Sequence, residues 1–448
     1  MKKVLSMLTM LLVVLTLLPG AALAQDTKAE VAQTLVQKLY DGEYEAVFNA
    51  SAPDLQQAIG SADGFATVMM QIGQMYGALE AITGVSMMET QGYFVASVVC
   101  MHAKAEITYQ IVLDADSLLK GLTLSEVTEK TAPGTVDASL FTAEPVTLRE
   151  GESDATSGIL TLPVGDGPFP AVIMMQGSGP SDMDETAYGI AVFRDLAEGL
   201  AAAGVASIRY DKYSFAHKDI LAANPDLLAR FTVNEEYVLD AQAALALLQQ
   251  DERIGDIYLL GHSQGAMLAP RIMQTLGADN IAGAVLLAGS PLHLWELQYH
   301  QNLALIGTLA QADQPAAREQ LDAEAGKAAA LKTMTPDALK QTTLFGISAY
   351  YQADEMSVDA AQIALALKKP LLIAQGAKDW QVTPADGIEA WQAALGDGDF
   401  AAYKLYPDMN HMLVDMAGES TGTTADYVGG SHVKQELIDD IAAWVLGR

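Results

Sequence analysis

The spacing of apolar residues predicts two differently built regions. Residues 27–49 and 61–76 repeat apolar positions about every 3.6 residues, as amphipathic helices do. Strand-like runs bounded by turn residues follow at 81–89, 93–101, 105–113 and 121–125. Helices followed by an antiparallel meander predict a small α+β domain.

From residue 145 onward strands and helices alternate. A hairpin is predicted first, over 145–148 and 157–162. The next predicted strands are 171–175, 205–210, 257–260, 283–288 and 370–375, and the predicted helices are 188–203, 233–250 and 433–446. This alternation predicts a second domain of class α/β, with a mostly parallel sheet covered by helices on both faces.

A long stretch that we expect to be helical throughout interrupts this alternation at residues 291–369. An insertion at this point lies above the carboxyl edge of the sheet, where the active sites of open α/β sheets are found. We interpret it as a lid that shapes a substrate pocket. The alternative is a group of helices packed on one flank of the domain.

The N-terminus has the three parts of a secretory leader. Lys2 and Lys3 precede an apolar run over 4–18, and residues 22–24 form an Ala-x-Ala cleavage signal. The run is shorter than the ~20 residues that span a bilayer. We therefore expect cleavage after Ala24 and a secreted chain, extracellular or periplasmic.

The chain is thus divided into a leader and three further parts. Residues 1–24 are the leader, 25–128 the N-terminal α+β domain, 129–144 a polar linker and 145–448 the α/β domain.

Charge and cysteine content limit the partners of the protein. The formal net charge of −31 repels nucleic acid and anionic membranes, so we expect neither as a partner after leader cleavage. Cys100 is the only cysteine, so no disulfide forms within one chain. With 50% hydrophobic residues, the fold depends on its apolar cores.

The sequence Gly-His-Ser-Gln-Gly at residues 261–265 separates a predicted strand from a helix-compatible segment. A serine that attacks a carbonyl carbon has to project from the sheet on a tight turn, and flanking glycines allow the close backbone approach. The amides at the start of the helix then face the reacting oxygen. We predict Ser263 as a nucleophile; an ordinary turn containing a serine is the structural alternative.

A nucleophilic serine requires a histidine base oriented by a carboxylate. Proteins with this strand–serine–helix turn place serine, acid and histidine in that chain order. Of seven histidines, three precede Ser263, and His293 and His300 fall in the helical stretch. His411 follows a strand and a proline turn, whereas His432 lies at the start of the last helix. We therefore expect His411 to be the base.

Asp379 is the predicted acid because it lies just past the end of the strand 370–375. Asp386 belongs to the first turn of the next helix, where the helix dipole favours an acid in any case. Asp408 precedes His411 in a single turn and fits a turn former.

Two backbone amides are expected to stabilise the oxyanion. One is the N–H of Gln264, directly after the nucleophile, and the other is the N–H of Ser178 in the glycine-rich loop 176–180. Gln176, Trp295 and Trp380 are possible substrate contacts, although the tryptophans can equally be packing residues.

No metal-binding motif, phosphate-binding loop or dinucleotide motif occurs, so we expect neither a metal nor a cofactor.

Several stretches of residues ~145–448 together resemble the bacterial α/β-hydrolases of the carboxylesterase and serine-aminopeptidase-like group. They are Gln176-Gly177-Ser178-Gly179-Pro180, Arg209-Tyr210-Asp211-Lys212, Gly261-His262-Ser263-Gln264-Gly265, Gly376-Ala377-Lys378-Asp379-Trp380-Gln381-Val382 and Asn410-His411. The N-terminal region resembles a small domain of uncharacterised function that precedes such hydrolases in secreted proteins; the matching residues are Asp41-Gly42-Glu43-Tyr44, Phe48 and Gly121-Leu122.

The chain departs from that group at two places. Gln176 stands where the group usually has histidine; the position orients the loop, so we expect activity to survive. After Lys212 the group commonly continues Arg-Gly-x-Gly, whereas residues 213–216 read Tyr-Ser-Phe-Ala, which changes the loop near the pocket and with it substrate choice.

The residues and the resemblance together predict a serine hydrolase that cleaves small-molecule carboxylic esters through an acyl-enzyme. Two alternatives remain open. One is a serine peptidase or aminopeptidase acting on short peptides, since a Ser-His-Asp set fixes acyl transfer but not the leaving group. The other is a secreted binding protein on a hydrolase scaffold without activity.

Overall fold

A computed structural model of the chain describes residues 22–90, 92–307, 309–396 and 398–447. It divides the chain into two compact units between Thr131 and Ala132, a position inside the predicted linker. Of the predicted leader, only residues 22–24 are described; the rest lies outside the described residues. No helix in these ranges combines the length and the hydropathy needed to cross a membrane.

Among the described residues, the first unit contains four helices and one antiparallel sheet. The helices are α1 (Ala22–Tyr40), α2 (Tyr44–Asn49), α3 (Pro53–Ile59) and α4 (Ala62–Tyr76). The strands, in the sheet order β1-β2-β3-β4, are β1 (Leu79–Thr90), β2 (Tyr93–His102), β3 (Ala105–Leu113) and β4 (Leu119–Glu129). The predicted α+β organisation is therefore present.

The core of this unit explains the elements that the sequence pattern predicts. Alternate residues of β3, such as Ile107 and Ile111, are buried in one cluster with Leu35 and Leu39 of α1. The short helix α3 escaped prediction because it buries none of its residues and so has no apolar stripe.

The second unit is built on an eight-stranded sheet with the order β16-β15-β12-β11-β7-β10-β6-β5. Its strands are β5 (Phe141–Leu148), β6 (Thr156–Pro163), β7 (Phe169–Met175), β10 (Ala206–Tyr210), β11 (Ile254–His262), β12 (Gly283–Leu287), β15 (Leu371–Gly376) and β16 (Ala401–Tyr406), and two further pairs lie outside it, β8 (Thr186–Ala187) with β9 (Ile190–Ala191) and β13 (Thr343–Leu344) with β14 (Ile347–Ser348). β5 and β6 form the predicted antiparallel hairpin, and β6 pairs antiparallel with β10. The remaining strands, β10, β7, β11, β12, β15 and β16 in sheet order, run parallel to one another.

The helices of the second unit cover both faces of this sheet. They are α5 (Val192–Ala202), α6 (Tyr213–Ala216), α7 (Lys218–Ala223), α8 (Pro225–Ala229), α9 (Leu239–Gln250) with a π-helical turn before it (Asn234–Val238), α10 (Gln264–Leu276), α11 (Leu294–Gly307), α12 (Gln314–Ala325), α13 (Ala328–Leu331), α14 (Pro336–Lys340), α15 (Ala349–Glu355), α16 (Ala360–Leu367), α17 (Ile388–Leu395) and α18 (Gln435–Leu446). Leu259 of β11 packs in the core shared with α9 and α10, whereas Leu260 packs in the core shared with α5 and α18. Burial on both faces explains why these strands read as continuous apolar runs.

Two small hairpins correct the predicted helix boundaries. The helix predicted over 188–203 begins only at Val192, because β8 and β9 precede it, and the insertion 291–369 is not helical throughout, because it contains β13 and β14. Their two-residue turns, Tyr188-Gly189 and Phe345-Gly346, have positive φ at both residues, the geometry of tight hairpins. An aromatic residue at the first position concealed both turns, since glycine, asparagine or aspartate normally signals them.

Candidate active site

Ser263 lies between the end of β11 and the first residue of α10, with φ 50° and ψ −116°. This backbone conformation is strained for a residue other than glycine, and such strain concentrates at functional sites. A Cβ on Gly261 would lie 2.4 Å from the backbone of Gly265, and a Cβ on Gly265 would lie 2.1 Å from the carbonyl oxygen of Met175. The two glycines are therefore required by the turn that carries the serine.

The structure brings His411 and Asp379 together. Nδ1 of His411 lies 2.8 Å from Oδ2 of Asp379, and both side chains are buried. The other oxygen of Asp379 accepts the N–H groups of Gln381 and Val382, each at 2.9 Å. The carboxylate is thus held in place, and it fixes the tautomer of His411 that leaves Nε2 available.

His262 connects this pair to the serine. Its ring lies 5.0 Å from the ring of His411, centroid to centroid, and its Nε2 lies 2.9 Å from the carbonyl oxygen of His411. His262 is the residue directly before Ser263. Within the described ranges, no hydrogen bond joins the Ser263 hydroxyl to His411; the contact between the serine turn and His411 is made by His262.

The other acids and the other late histidine all have partners elsewhere. The pairs are Asp386 with His300 at 3.0 Å, Asp408 with Lys378 at 2.9 Å, and His432 with Asp195 at 3.0 Å. These three side chains are engaged in contacts outside the His411–Asp379 pair.

The glycine-rich loop after β7 lies against the serine. A Cβ on Gly177 would lie 3.2 Å from Cβ and 3.7 Å from Oγ of Ser263. The backbone N–H groups of Ser178 and Gln264 donate to no other group in the part of the chain that the structure describes. Both amides are therefore available to a ligand beside Ser263.

Glu185 is a site residue that the sequence did not reveal. Its Oε1 accepts the N–H of Gly177 at 2.5 Å and lies 3.0 Å from Nδ1 of His262. Burial by itself lowers the pKa of His262, but the Glu185 carboxylate, the His411 carbonyl oxygen and the charge of Asp379 together outweigh burial, and the pKa is raised. A buried acid–imidazole pair thus ties the glycine-rich loop to the serine turn; no sequence spacing signals a contact between residues so far apart.

The insertion also reaches the serine turn. The side chain of Gln264 donates from Nε2 to the hydroxyl of Tyr351 in α15, at 3.1 Å, and its Oε1 lies 3.1 Å from the hydroxyl of Tyr237. Both tyrosines are buried. The helix α15 is therefore fixed at the carboxyl edge of the sheet.

The three residues predicted to contact substrate all contact other parts of the protein. Gln176 is buried and donates from Nε2 to the carbonyl oxygen of Tyr210 at 2.5 Å, so it anchors the loop to β10. Trp295 packs in an apolar cluster formed by the insertion. Trp380 stacks on Tyr427, with ring centroids 6.3 Å apart. In the described ranges, no group of three or more His, Cys, Asp or Glu side chains is arranged to hold a metal ion.

A mostly parallel sheet with helices on both faces, and a serine on a strained turn between a strand and a helix, define the class of α/β-hydrolases. The chain belongs to the serine aminopeptidase S33 family of hydrolases, whose sequence model matches residues 189–416. Residues 32–122 match a family of unknown function, DUF3887, in agreement with the predicted small N-terminal domain.

The chain is similar to known proteins over most of its length. It is 29% identical over 418 residues to esterase EstD of Thermotoga maritima, covering 92% of this chain and 93% of that protein. Among solved structures, Est1E from Butyrivibrio proteoclasticus is 14% identical with a TM-score of 0.42, covering 68% of this chain and 99% of that one. The Pyrococcus horikoshii acylaminoacyl peptidase is 12% identical with a TM-score of 0.43, covering 82% of this chain and 56% of that one.

Proposed function

We propose that the protein is a secreted serine hydrolase that cleaves small-molecule carboxylic esters. The observation that carries the proposal is the buried hydrogen bond between His411 and Asp379 beside the strained turn of Ser263. The similarity to an esterase over nearly the whole chain favours esters as substrates.

In the proposed mechanism, His411 takes the proton of the Ser263 hydroxyl through Nε2 as the oxygen attacks the carbonyl carbon of the ester. The C–O bond to the alcohol then breaks, His411 returns the proton to the leaving alcohol, and an acyl-enzyme remains on Ser263. A water molecule, deprotonated by His411, attacks this acyl group and releases the acid with regeneration of the serine. Asp379 stays ionised and stabilises the imidazolium.

The negative charge on the substrate oxygen is assigned to the N–H groups of Gln264 and Ser178. Gln264 directly follows Ser263, and Ser178 lies in the loop whose Gly177 packs against Ser263. Neither N–H group donates a hydrogen bond to another described residue. Fixed donors of this kind lower the barrier because they need no reorganisation as the charge develops.

A peptidase acting on short peptides is the second candidate, favoured by the serine aminopeptidase description of the family. Turnover of p-nitrophenyl esters from acetate to decanoate, beside aminoacyl-p-nitroanilides, separates the two. We expect the esters to be hydrolysed and the Ser263→Ala variant to lose at least ~10⁴-fold in rate. Hydrolysis of the anilides alone would favour the peptidase, and equal ester turnover by the variant would refute the mechanism.

We also propose that secretion removes residues 1–24. The support is the arrangement of Lys2 and Lys3, the apolar run and the Ala-x-Ala pattern that ends at Ala24. Intact-mass analysis of the exported protein checks this, because cleavage places Gln25 at the N-terminus. A mature mass that retains the leader would contradict it.

A further inference from the structure

Lys212 follows β10 and is 1% exposed, which is unusual for a side chain that carries a full charge. Its ammonium group donates to the carbonyl oxygen of Gly177 at 2.7 Å, the carbonyl oxygen of Gly179 at 3.0 Å and the hydroxyl of Tyr237 at 2.7 Å. These three acceptors match the three N–H bonds of the ammonium, and Glu236 beside them supplies the counter-charge. Two of the three acceptors are carbonyl groups of the loop beside the nucleophile.

The Gly177 carbonyl belongs to the same peptide unit as the N–H of Ser178. In a planar trans peptide the C=O and N–H bonds point in opposite directions. A group that fixes the Gly177 oxygen on one side therefore fixes the direction of the Ser178 N–H on the other. The backbone N–H of Gly177, which belongs to the preceding peptide unit, donates to Glu185. Two successive peptide units of the loop are therefore fixed by buried charged side chains.

The charge of Lys212 also has a chemical consequence. Burial lowers the pKa of Lys212, and Glu236, whose Oε1 lies 3.2 Å from Nζ, counters that effect. A cation beside a carbonyl oxygen in a low-dielectric interior polarises the amide, and hydrogen bonds in such a chain strengthen one another. The Ser178 N–H becomes a stronger donor to a negatively charged oxygen.

The same cluster reaches the second oxyanion donor. The Tyr237 hydroxyl accepts from Lys212 and lies 3.1 Å from Oε1 of Gln264. The side chain of Gln264 in turn donates to Tyr351. Lys212 is therefore joined, through one tyrosine, to the residue that supplies the other amide.

We propose that Lys212 is a positioning residue for ester hydrolysis: it orients and polarises the Gly177–Ser178 peptide whose N–H stabilises the oxyanion. This inference rests on the proposed function. It assigns to Lys212 an effect on the transition state rather than on substrate binding, because the oxyanion charge exists only after the serine has attacked.

The test compares Lys212→Met, which keeps the length of the side chain without its charge or donors, with the wild-type protein. For p-nitrophenyl butyrate we expect kcat to fall about 100-fold, the order lost with one oxyanion donor, with KM within ~3-fold. The affinity for an alkyl trifluoromethyl ketone, whose serine adduct carries the same oxyanion, should fall in parallel. Lys404→Met, at a lysine paired on the surface with Asp440, is the matched control and should behave as wild type.

Lys212→Gln provides a second neutral variant, and thermal unfolding of both variants establishes that they fold. A folded Lys212→Met with unchanged kcat, a loss confined to KM, or unchanged ketone affinity would overturn the proposal. Failure of both variants to fold would also overturn it, in favour of a purely structural lysine. Failure of the proposed function looks different, because the wild type would then be inactive on esters or the Ser263→Ala variant would be active.

Discussion

At the scale of single residues, the proposed chemistry depends on the contact between His411 and Asp379. The sequence led to these two residues by chain order and by their positions after two strands, and the structure places their side chains 2.8 Å apart. The contacts around them were hidden. Glu185 and Lys212 act on the backbone of the loop 176–180, and no periodicity or motif indicates a side chain that bonds to distant backbone.

Replacing Asp379 by asparagine should lower kcat for p-nitrophenyl butyrate by ~10³–10⁴-fold, because an amide at this position favours the wrong tautomer of His411. The matched control is Asp386→Asn, since Asp386 contacts His300. Steady-state kinetics should show the control within ~3-fold of wild type. A larger loss in Asp386→Asn than in Asp379→Asn would reassign the acid.

The His262–Glu185 pair should make stability depend on pH. Because the pKa of His262 is raised on folding, the pair contributes fully below the unfolded pKa of about 6.5 and loses its contribution as pH rises through the folded pKa. Urea unfolding of wild type and His262→Gln between pH 5 and pH 9 measures this. We expect the difference in unfolding free energy to shrink as pH rises; a difference that is constant with pH would contradict the assignment.

At the scale of elements, the approach of α10 to β7 is decided by single glycines. The sequence predicted this strand–turn–helix correctly because apolar runs and paired glycines are local signals. It placed two boundaries wrongly, at α5 and inside the insertion, because the turns Tyr188-Gly189 and Phe345-Gly346 place an aromatic residue at positive φ. That conformation is held by the surrounding fold and cannot be recognised from local preference.

The substitution Gly265→Ala should therefore push α10 away from β7, since its Cβ would lie 2.1 Å from the Met175 carbonyl oxygen. We expect a loss of at least ~1–3 kcal/mol in the free energy of unfolding, the usual cost of overpacking, together with loss of ester turnover. The control is Gly73→Ala in α4, where a Cβ meets nothing within 4 Å; it should be neutral or stabilising. Chemical denaturation measures the free energy of unfolding of both variants. Equal values for the two would refute the predicted steric clash.

At the scale of the whole molecule, the chain consists of two units with separate cores. The change from helices followed by a meander to alternating strands and helices was sufficient to separate them in the sequence. All the contacts that define the candidate site, from Gln176 to His411, lie within the second unit. Residues 32–122 of the first unit match a family of unknown function, and the described residues of the first unit contribute nothing to the candidate site.

A truncated chain that begins at Ala132 should consequently keep its catalytic constants for short p-nitrophenyl esters, with kcat within ~3-fold of the full-length chain, because no core residue of the second unit is removed. Kinetics of the two proteins side by side, with circular dichroism to confirm folding, measure this. Loss of turnover in a folded truncated protein would show that the first unit takes part in catalysis.

In the proposed mechanism, Ser263 carries the acyl group during turnover. Mass spectrometry of the protein quenched during hydrolysis of p-nitrophenyl butyrate detects such an acyl-enzyme, with Ser263→Ala in parallel. We expect a butyryl adduct on the peptide that contains Ser263, absent from the variant, together with loss of turnover in the variant. An adduct on another residue, or undiminished turnover by Ser263→Ala, would contradict it.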